Sequence, residues 1–200
     1  MSAFYRDAHN HLTIDGLPLD GLMAEFGSPL YVYSGAGLER AFTAFQAAVA
    51  SVSGKVHFAL KANSALGVIA LLTRGGAGAD IVSVGELARA LAAGISAKDV
   101  VFSGVGKSAA DIRAALAAGI GQINAESAEE VAQISAVAAS MGVIAPVALR
   151  VNVDVDAGTH AKISTGQRST KFGISTDQHE AASLYASIDA DPYIKPMGLA

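Results

Sequence analysis

The sequence contains no cysteine, so disulfide cross-links and thiolate zinc ligation are excluded within it and a cytosolic setting is expected. It also lacks an excess of charge. Fourteen basic and 18 acidic residues give a formal net charge of −4, and no long block of like charge marks a nucleic-acid arm or a membrane patch. No apolar stretch runs for the ~20 residues of a membrane span before glycine or a charge interrupts it. Residues 1–10 lack the apolar core of a signal peptide. The expected partners are small molecules or further copies of the chain, in the cytoplasm. What the sequence does have is 52% hydrophobic residues over a length of 200, enough for a sizeable buried core.

The first 34 residues stand apart. They hold a polar opening, a Gly/Pro turn at 16–18, an amphipathic stretch at 19–26 and a strand-like Pro29-Leu-Tyr-Val-Tyr33. A helical run at 38–52 follows. From there the pattern repeats as a short apolar strand, a polar strand end and an Ala-rich helix. Strands are predicted at 56–62, 79–83, 100–104, 122–126 and 146–152, with a sixth starting near Pro196 and reading as cut off at the chain's end. Strands alternating with single helices at this spacing predict βαβ units and a parallel sheet. The intervening helices carry their own signals. Ser108 with Asp111 and Ser127 with Glu130 have capping-box spacing, Gly94 and Gly119 stand where a left-handed C-cap is wanted, and Val131, Ile134, Ala138 and Met141 form a core-facing stripe.

A parallel sheet can be open or closed. An open doubly wound sheet usually has a glycine-rich dinucleotide loop after its first strand, and here Lys61-Ala-Asn-Ser64 occupies that place. The closed (β/α)8 barrel is favoured. It needs ~250 residues, so five units and a started sixth predict an incomplete barrel.

Strand alternation puts His57, Ala59, Lys61 and Asn63 on the inner face of the first barrel strand. The same parity turns Gln122, Asn124 and Glu126 inward on the fourth strand and Ala148, Arg150 and Asn152 inward on the fifth. Asp80 and Ser103 hold comparable places on the second and third. Lys61 at a strand end is predicted to be desolvated. Such a lysine either joins a structural Lys-Glu-Arg network or loses its proton and attacks a carbonyl, and the second reading makes it the leading nucleophile. His57, lower on its strand, is expected to be a packed histidine.

Other motifs fail on inspection. Gly104-Val-Gly-Lys-Ser108 lacks the first glycine of a phosphate loop, that place being Val101. Gly76-Ala-Gly78 precedes a strand instead of following one. His9-Asn-His11 lies outside the barrel, and no metal site is expected there. Residues 153–173 have no periodicity, and a segment of that length is commonly a lid or binding loop. Its His160, Lys162, Ser164, Thr165, Arg168 and Lys171 suit a polar, anionic ligand, with a plain surface loop as the alternative.

Several of these segments are familiar together: Phe58-Ala-Leu-Lys-Ala-Asn63, Gly78-Ala-Asp-Ile-Val-Ser83 leading to Gly85-Glu-Leu87, Val101-Phe-Ser-Gly-Val-Gly-Lys107 and Leu149-Arg-Val-Asn152. From about residue 29 onward the chain resembles the diaminopimelate decarboxylases, within the fold-type III pyridoxal-phosphate enzymes. Asp154-Val-Asp-Ala-Gly-Thr-His160, Ile163-Ser-Thr-Gly166 and Lys171-Phe-Gly-Ile174 resemble that family in particular. The resemblance implies a Schiff base between pyridoxal 5'-phosphate and Lys61, and a carboxy-lyase activity that converts meso-2,6-diaminopimelate to L-lysine and carbon dioxide in lysine biosynthesis. It implies that Asp80, Glu86 and Arg150 line or support the cofactor pocket, that Asn63 stands beside Lys61, and that His160, Ser164 and Thr165 help close the site over substrate. It also implies a homodimer, with a phosphate site, an acid for the ring nitrogen, a partner-supplied cysteine and a β domain beyond Ala200. Residues 1–34 are expected to join that domain, while 35–200 form the partial cofactor-binding barrel. Val153 and Val84 depart from the family's usual Pro and Gly, and neither removes a charged or nucleophilic group. Competing readings are an ornithine or arginine decarboxylase, an alanine racemase, a noncatalytic pyridoxal-phosphate carrier and a cofactor-free Schiff-base aldolase.

Overall fold

A computed structural model describes residues 3–153, 173–175 and 180–200. The chain opens with a small antiparallel sheet of β1 (Phe4–Arg6), β2 (Leu12–Ile14) and β3 (Leu17–Pro18). Helix α1 (Leu19–Phe26) follows and buries none of its residues. Asp15 ties this region to the barrel. Its carboxylate accepts from the Ser34 hydroxyl at 2.6 Å and the Ala36 N–H at 3.2 Å, while Ser34 caps α2 (Gly35–Val49) by accepting from the Gly37 N–H. The Ser34 hydrogen bond holds the Asp15 carboxyl below the usual carboxylate range. Residues 29–33, which read as a strand, are unpaired here, with Tyr31 88% exposed. Their alternation has no neighbouring strand to use it.

Six parallel strands form the main sheet: β4 (His57–Ala59), β5 (Gly78–Ile81), β6 (Val100–Phe102), β7 (Gln122–Ala125), β8 (Ala145–Leu149) and β11 (Ile194–Leu199). Their spatial order is β11-β8-β7-β6-β5-β4, the order of the chain. A doubly wound sheet reverses its order at a switch point, whereas this one never does. With crossovers of one hand, α3 (Leu66–Arg74), α4 (Val84–Ala92), α5 (Ala109–Ala118), α6 (Ala128–Met141) and α7 (Glu180–Asp189) all cover one face. This is a partial α/β barrel. The expected sixth strand is β11. It tolerates Pro196 because, among the described residues, only β8 pairs with it, leaving its other edge unpaired.

The core lies between sheet and helices. Ile81, Phe102, Ile123, Val147 and Leu149 from the strands meet Ile69, Ile112 and Ile134 from the helices, all essentially inaccessible. Burying each such side chain stabilises the fold by about 2 kcal/mol. The predicted α6 stripe is present, with Val131, Ile134 and Ala138 buried and Met141 packed against the cluster. Gly94 and Gly119 both adopt positive φ after their helices. On the inner face a Cβ at Gly78 would overlap the His57 ring and the Asp99 carbonyl, so His57 is packed over its β5 partner, as expected. Among the described residues no helix is long and apolar enough to cross a membrane.

Short strands β9 (Val151–Asn152) and β10 (Ile174–Ser175) pair in parallel. They bracket the segment read as a lid, and its His160, Lys162, Ser164, Thr165, Arg168 and Lys171 lie outside the described residues.

Candidate active site

The chemistry-bearing residues gather where the parallel strands end. In-register pairing sets Ala59 beside Asp80, Asp80 beside Val101, and Asn124 beside Ala148. Two residues further along, the last register brings Glu126 opposite Arg150.

Lys61 differs from its expected setting. Strand β4 stops at Ala59, and Leu60–Ala62 form a 3-10 turn in which Leu60 is buried while Lys61 is exposed. Among the described residues only β5 pairs with β4, and the 3-10 turn that follows sinks Leu60 while leaving Lys61 and Ala62 exposed. The turn packs beside β5 and α4. Lys61 has no hydrogen bond or ion pair among the described residues. Just beyond it, the Asn63 side chain accepts from the Ala65 N–H at 3.0 Å and fixes the start of α3.

A chain of side-chain hydrogen bonds crosses the inner face toward Asp80. Gln122 donates to Asn124 Oδ1 at 2.7 Å, Asn124 donates to Ser103 Oγ at 3.0 Å, and Ser103 donates to Asp80 Oδ1 at 2.6 Å. Because an ionised carboxylate can only accept, the single Ser103 proton points to Asp80. That choice orients both amides behind it. Asp80, Ser103, Asn124 and Gln122 of the predicted inward set are thus one connected group, and Glu126 is not part of it.

A second network joins Glu126 and Arg150, both expected to face inward, to Lys107 and Glu130, for which the sequence reading expected no such role. The Lys107 side chain, 2% exposed, donates to the Gly104 carbonyl and the Asn124 carbonyl at 2.7 Å each and to Glu130 Oε1 at 3.0 Å. Its ammonium also lies 5.7 Å from the centre of the Phe102 ring. Glu130 Oε2 accepts from the Glu126 N–H at 2.7 Å. The Glu126 carboxylate accepts from Arg150 at 2.8 Å and from the Gly173 N–H at 3.0 Å. Asn124 joins the two networks, the first through its side chain and the second through its carbonyl.

The helix starts beside the site share one device. Ser108 and Asp111 form the complete predicted capping box at α5, and the Ser108 hydrogen bond lowers the Asp111 pKa. At α6, Ser127 caps as predicted, but the Glu130 carboxylate bypasses Ser127 for the Glu126 N–H and Lys107. Glu86 does the same at α4, where Ser83 accepts from the Glu86 N–H and Glu86 Oε2 accepts from the Val82 N–H at 2.7 Å. Glu86 therefore braces the loop after β5. Arg89 ties that helix to the Lys61 loop by donating to the Ser64 carbonyl.

These residues fit pyridoxal phosphate in kind. An accessible lysine with no competing partner can condense with a carbonyl, and Asp80 and the partly exposed Arg150 provide charge of either sign at the same rim.

Residues 36–195 match the family model of the pyridoxal-dependent decarboxylases, pyridoxal binding domain. Diaminopimelate decarboxylase of Pseudomonas aeruginosa is 52% identical over 183 residues, 92% of this chain and 44% of that protein. That of Haemophilus influenzae is 46% identical over 196 residues, 98% of this chain and 47% of that protein. A crystal structure of diaminopimelate decarboxylase from M. jannaschii in co-complex with L-lysine superposes with a TM-score of 0.90 at 31% identity, covering 99% of this chain and 47% of that one. The chain spans about half the length of the relatives it matches. By its family match the chain belongs to the pyridoxal-dependent decarboxylases, in their pyridoxal-binding domain.

Proposed function

We propose that this chain forms the cofactor-holding part of an enzyme that decarboxylates meso-2,6-diaminopimelate to L-lysine, with Lys61 carrying pyridoxal phosphate. The observation that carries the reading is the pairing state of the lysine at the strand-end rim: Lys61 is exposed and without a partner among the described residues, beside β5 and its Asp80. When bound, the cofactor supplies an electron sink for the charge left by carboxylate loss. The chain's residues supply binding and orientation. Lys61 Nζ is the attachment point, Asp80 is steadied by Ser103, and Arg150 is steadied by Glu126. Glu86 acts on the pocket through the loop it braces, from Val82 to Ser83.

The substrate contacts proposed for His160, Ser164 and Thr165 rest on the family resemblance of their segment. Residues 1–34 form the part that meets a further β domain of the intact protein, and 35–200 the cofactor barrel. Phe26, Tyr31 and Tyr33 are 64%, 88% and 56% exposed, an apolar surface suited to such a neighbour. The intact enzyme is proposed to be a cytoplasmic homodimer.

The test compares carbon dioxide release by the intact protein from diaminopimelate, lysine, ornithine and arginine at equal concentration. Diaminopimelate should be favoured strongly, because a site built for a charged, hydrogen-bonding end leaves polar groups unpaired when that end is missing. Preference for ornithine or arginine would leave the cofactor site standing and remove the named substrate.

A further inference from the structure

Lys107 is an unusual place to spend an ammonium group. Desolvating a cation is costly, and a buried ion pair replaced as a pair by apolar side chains is often no less stable. Stability alone therefore gives little reason for Lys107 and Glu130, whose side chains are 2% and 10% exposed. What the pair does have is reach. Lys107 uses its three protons on three elements: the Gly104 carbonyl of its own loop, the Asn124 carbonyl of β7 and the Glu130 carboxylate of α6. Glu130 then spends its other oxygen on the Glu126 N–H. That contact fixes the backbone from which the Glu126 side chain leaves, and the Glu126 carboxylate holds Arg150 with one oxygen and the Gly173 N–H with the other. Each carboxylate along the line has its own cation, Glu130 that of Lys107 and Glu126 that of Arg150, and the two are joined through the Glu126 N–H.

Gly173 adds a geometric requirement. Its φ is +76°, and a Cβ there would lie 2.9 Å from the Arg150 carbonyl oxygen and 3.2 Å from the Asn152 nitrogen. The Ile174 N–H donates to that same Arg150 carbonyl at 2.7 Å. Backbone and side chain of Arg150 are thus both set by contacts that converge on Glu126 and Gly173. A shift of Glu126 would move the guanidinium and loosen the β9–β10 junction together.

We propose that Lys107 and Glu130 are positioning residues of the pyridoxal-phosphate site, acting through Glu126 to fix the Arg150 guanidinium and the backbone at Gly173. The proposal rests on the reading that Arg150 serves the cofactor pocket. Neither residue touches the cofactor in this account.

The experiment uses the intact protein with the paired substitution Lys107→Met/Glu130→Leu and with Glu130→Gln alone, against the parent and Lys107→Arg. Three quantities are read: melting temperature, the dissociation constant for pyridoxal phosphate, and hydrogen exchange of the 173–175 amides relative to core amides of β7 and α5. In the paired variant no charge is orphaned, so the melting temperature falls less than when Glu130 is left without its cation, the partners lost being the Glu126 N–H and the Gly104 and Asn124 carbonyls. Its pyridoxal-phosphate dissociation constant rises about tenfold, the scale of one lost hydrogen bond to a charged group, and exchange quickens selectively at 173–175. Glu130→Gln gives the same selective pattern and keeps the side chain's shape, so it decides the matter if the paired variant does not fold. Lys107→Arg, retaining the cation, binds cofactor more tightly than the paired variant. Cofactor binding within twofold of the parent together with parental exchange at 173–175 would overturn the proposal, as would exchange that quickens equally throughout the core. If the parent itself takes up no pyridoxal phosphate, the cofactor reading fails, while exchange at 173–175 still judges the Lys107–Glu130 linkage.

Discussion

Lys61 and Lys107 lie at the same end of the sheet, in the loops that follow β4 and β6 on either side of β5, and they are treated oppositely. Lys107 is enclosed, with all three protons placed on oxygen acceptors. Lys61 is exposed on a short turn and has no partner among the described residues. The difference teaches what makes a lysine chemically available. An ammonium whose three protons are all placed on protein oxygens is held where it is, away from any ligand. A lysine outside such a network is sterically open to a carbonyl. Burial, taken alone, would select Lys107 instead of the Lys61 proposed above.

The comparison breaks most visibly through Lys61 itself. Lys61→Ala should abolish decarboxylation by the intact protein and, with both proteins compared free of cofactor, leave its melting temperature within about 1 °C, since an exposed side chain with no partner among the described residues contributes little to folding. A large loss of stability would mean that Lys61 has a structural role resembling that of Lys107. The complementary change, Lys107→Met alone, should cost about 3–5 kcal/mol of stability because it strands the Glu130 carboxylate. Denaturant unfolding measures this, and a cost below about 1 kcal/mol would mean that the ion pair is not buried in solution.

Next in size are Arg150→Met and Asp80→Asn, which keep volume and change charge or hydrogen bonding. Each should lower kcat/KM at least tenfold, about one charged hydrogen bond in the transition state, while circular dichroism stays unchanged. Activity surviving both changes would reduce these residues to barrel lining. The smallest effect concerns the α5 cap. Because the Ser108 hydroxyl lowers the folded-state pKa of Asp111 below that of an ordinary aspartate, the stabilisation is present above the unfolded pKa and is lost as pH falls through the folded one. Ser108→Ala should therefore lower the melting temperature more at about pH 6 than at about pH 2. An equal drop at both would show that the hydroxyl acts without the carboxylate.

Much of the fold was legible in the sequence because its signals are local. The β7 and β8 strands, the Ser108–Asp111 box and the Val131–Ile134–Ala138 stripe each follow from residues a few positions apart. Alternation also found Asp80, Ser103, Gln122, Asn124 and Glu126, since register carries parity across a parallel sheet. It failed at Lys61, where the strand ends three residues earlier than predicted and a 3-10 turn replaces period two. Lys107 was hidden for another reason. Gly104 and Gly106 have φ of +95° and +76° and curl the loop so that the lysine folds back beneath it. Its partners Asn124 and Glu130 lie 17 and 23 residues away. A lysine in a glycine-rich stretch looks solvated until that return is seen. Glu86 and Glu130 share the Ser-x-x-Glu spacing of a cap, but only tertiary geometry shows their carboxylates reaching past the cap residue to Val82 and Glu126.

The central claim is that the exposed lysine, and not the buried one, holds the cofactor. Its most direct test is borohydride reduction of the intact protein loaded with pyridoxal phosphate, followed by peptide mass mapping. The account predicts a single stoichiometric pyridoxyl adduct on Lys61 and an unmodified Lys107; an adduct on Lys107, or on Lys55, would contradict it.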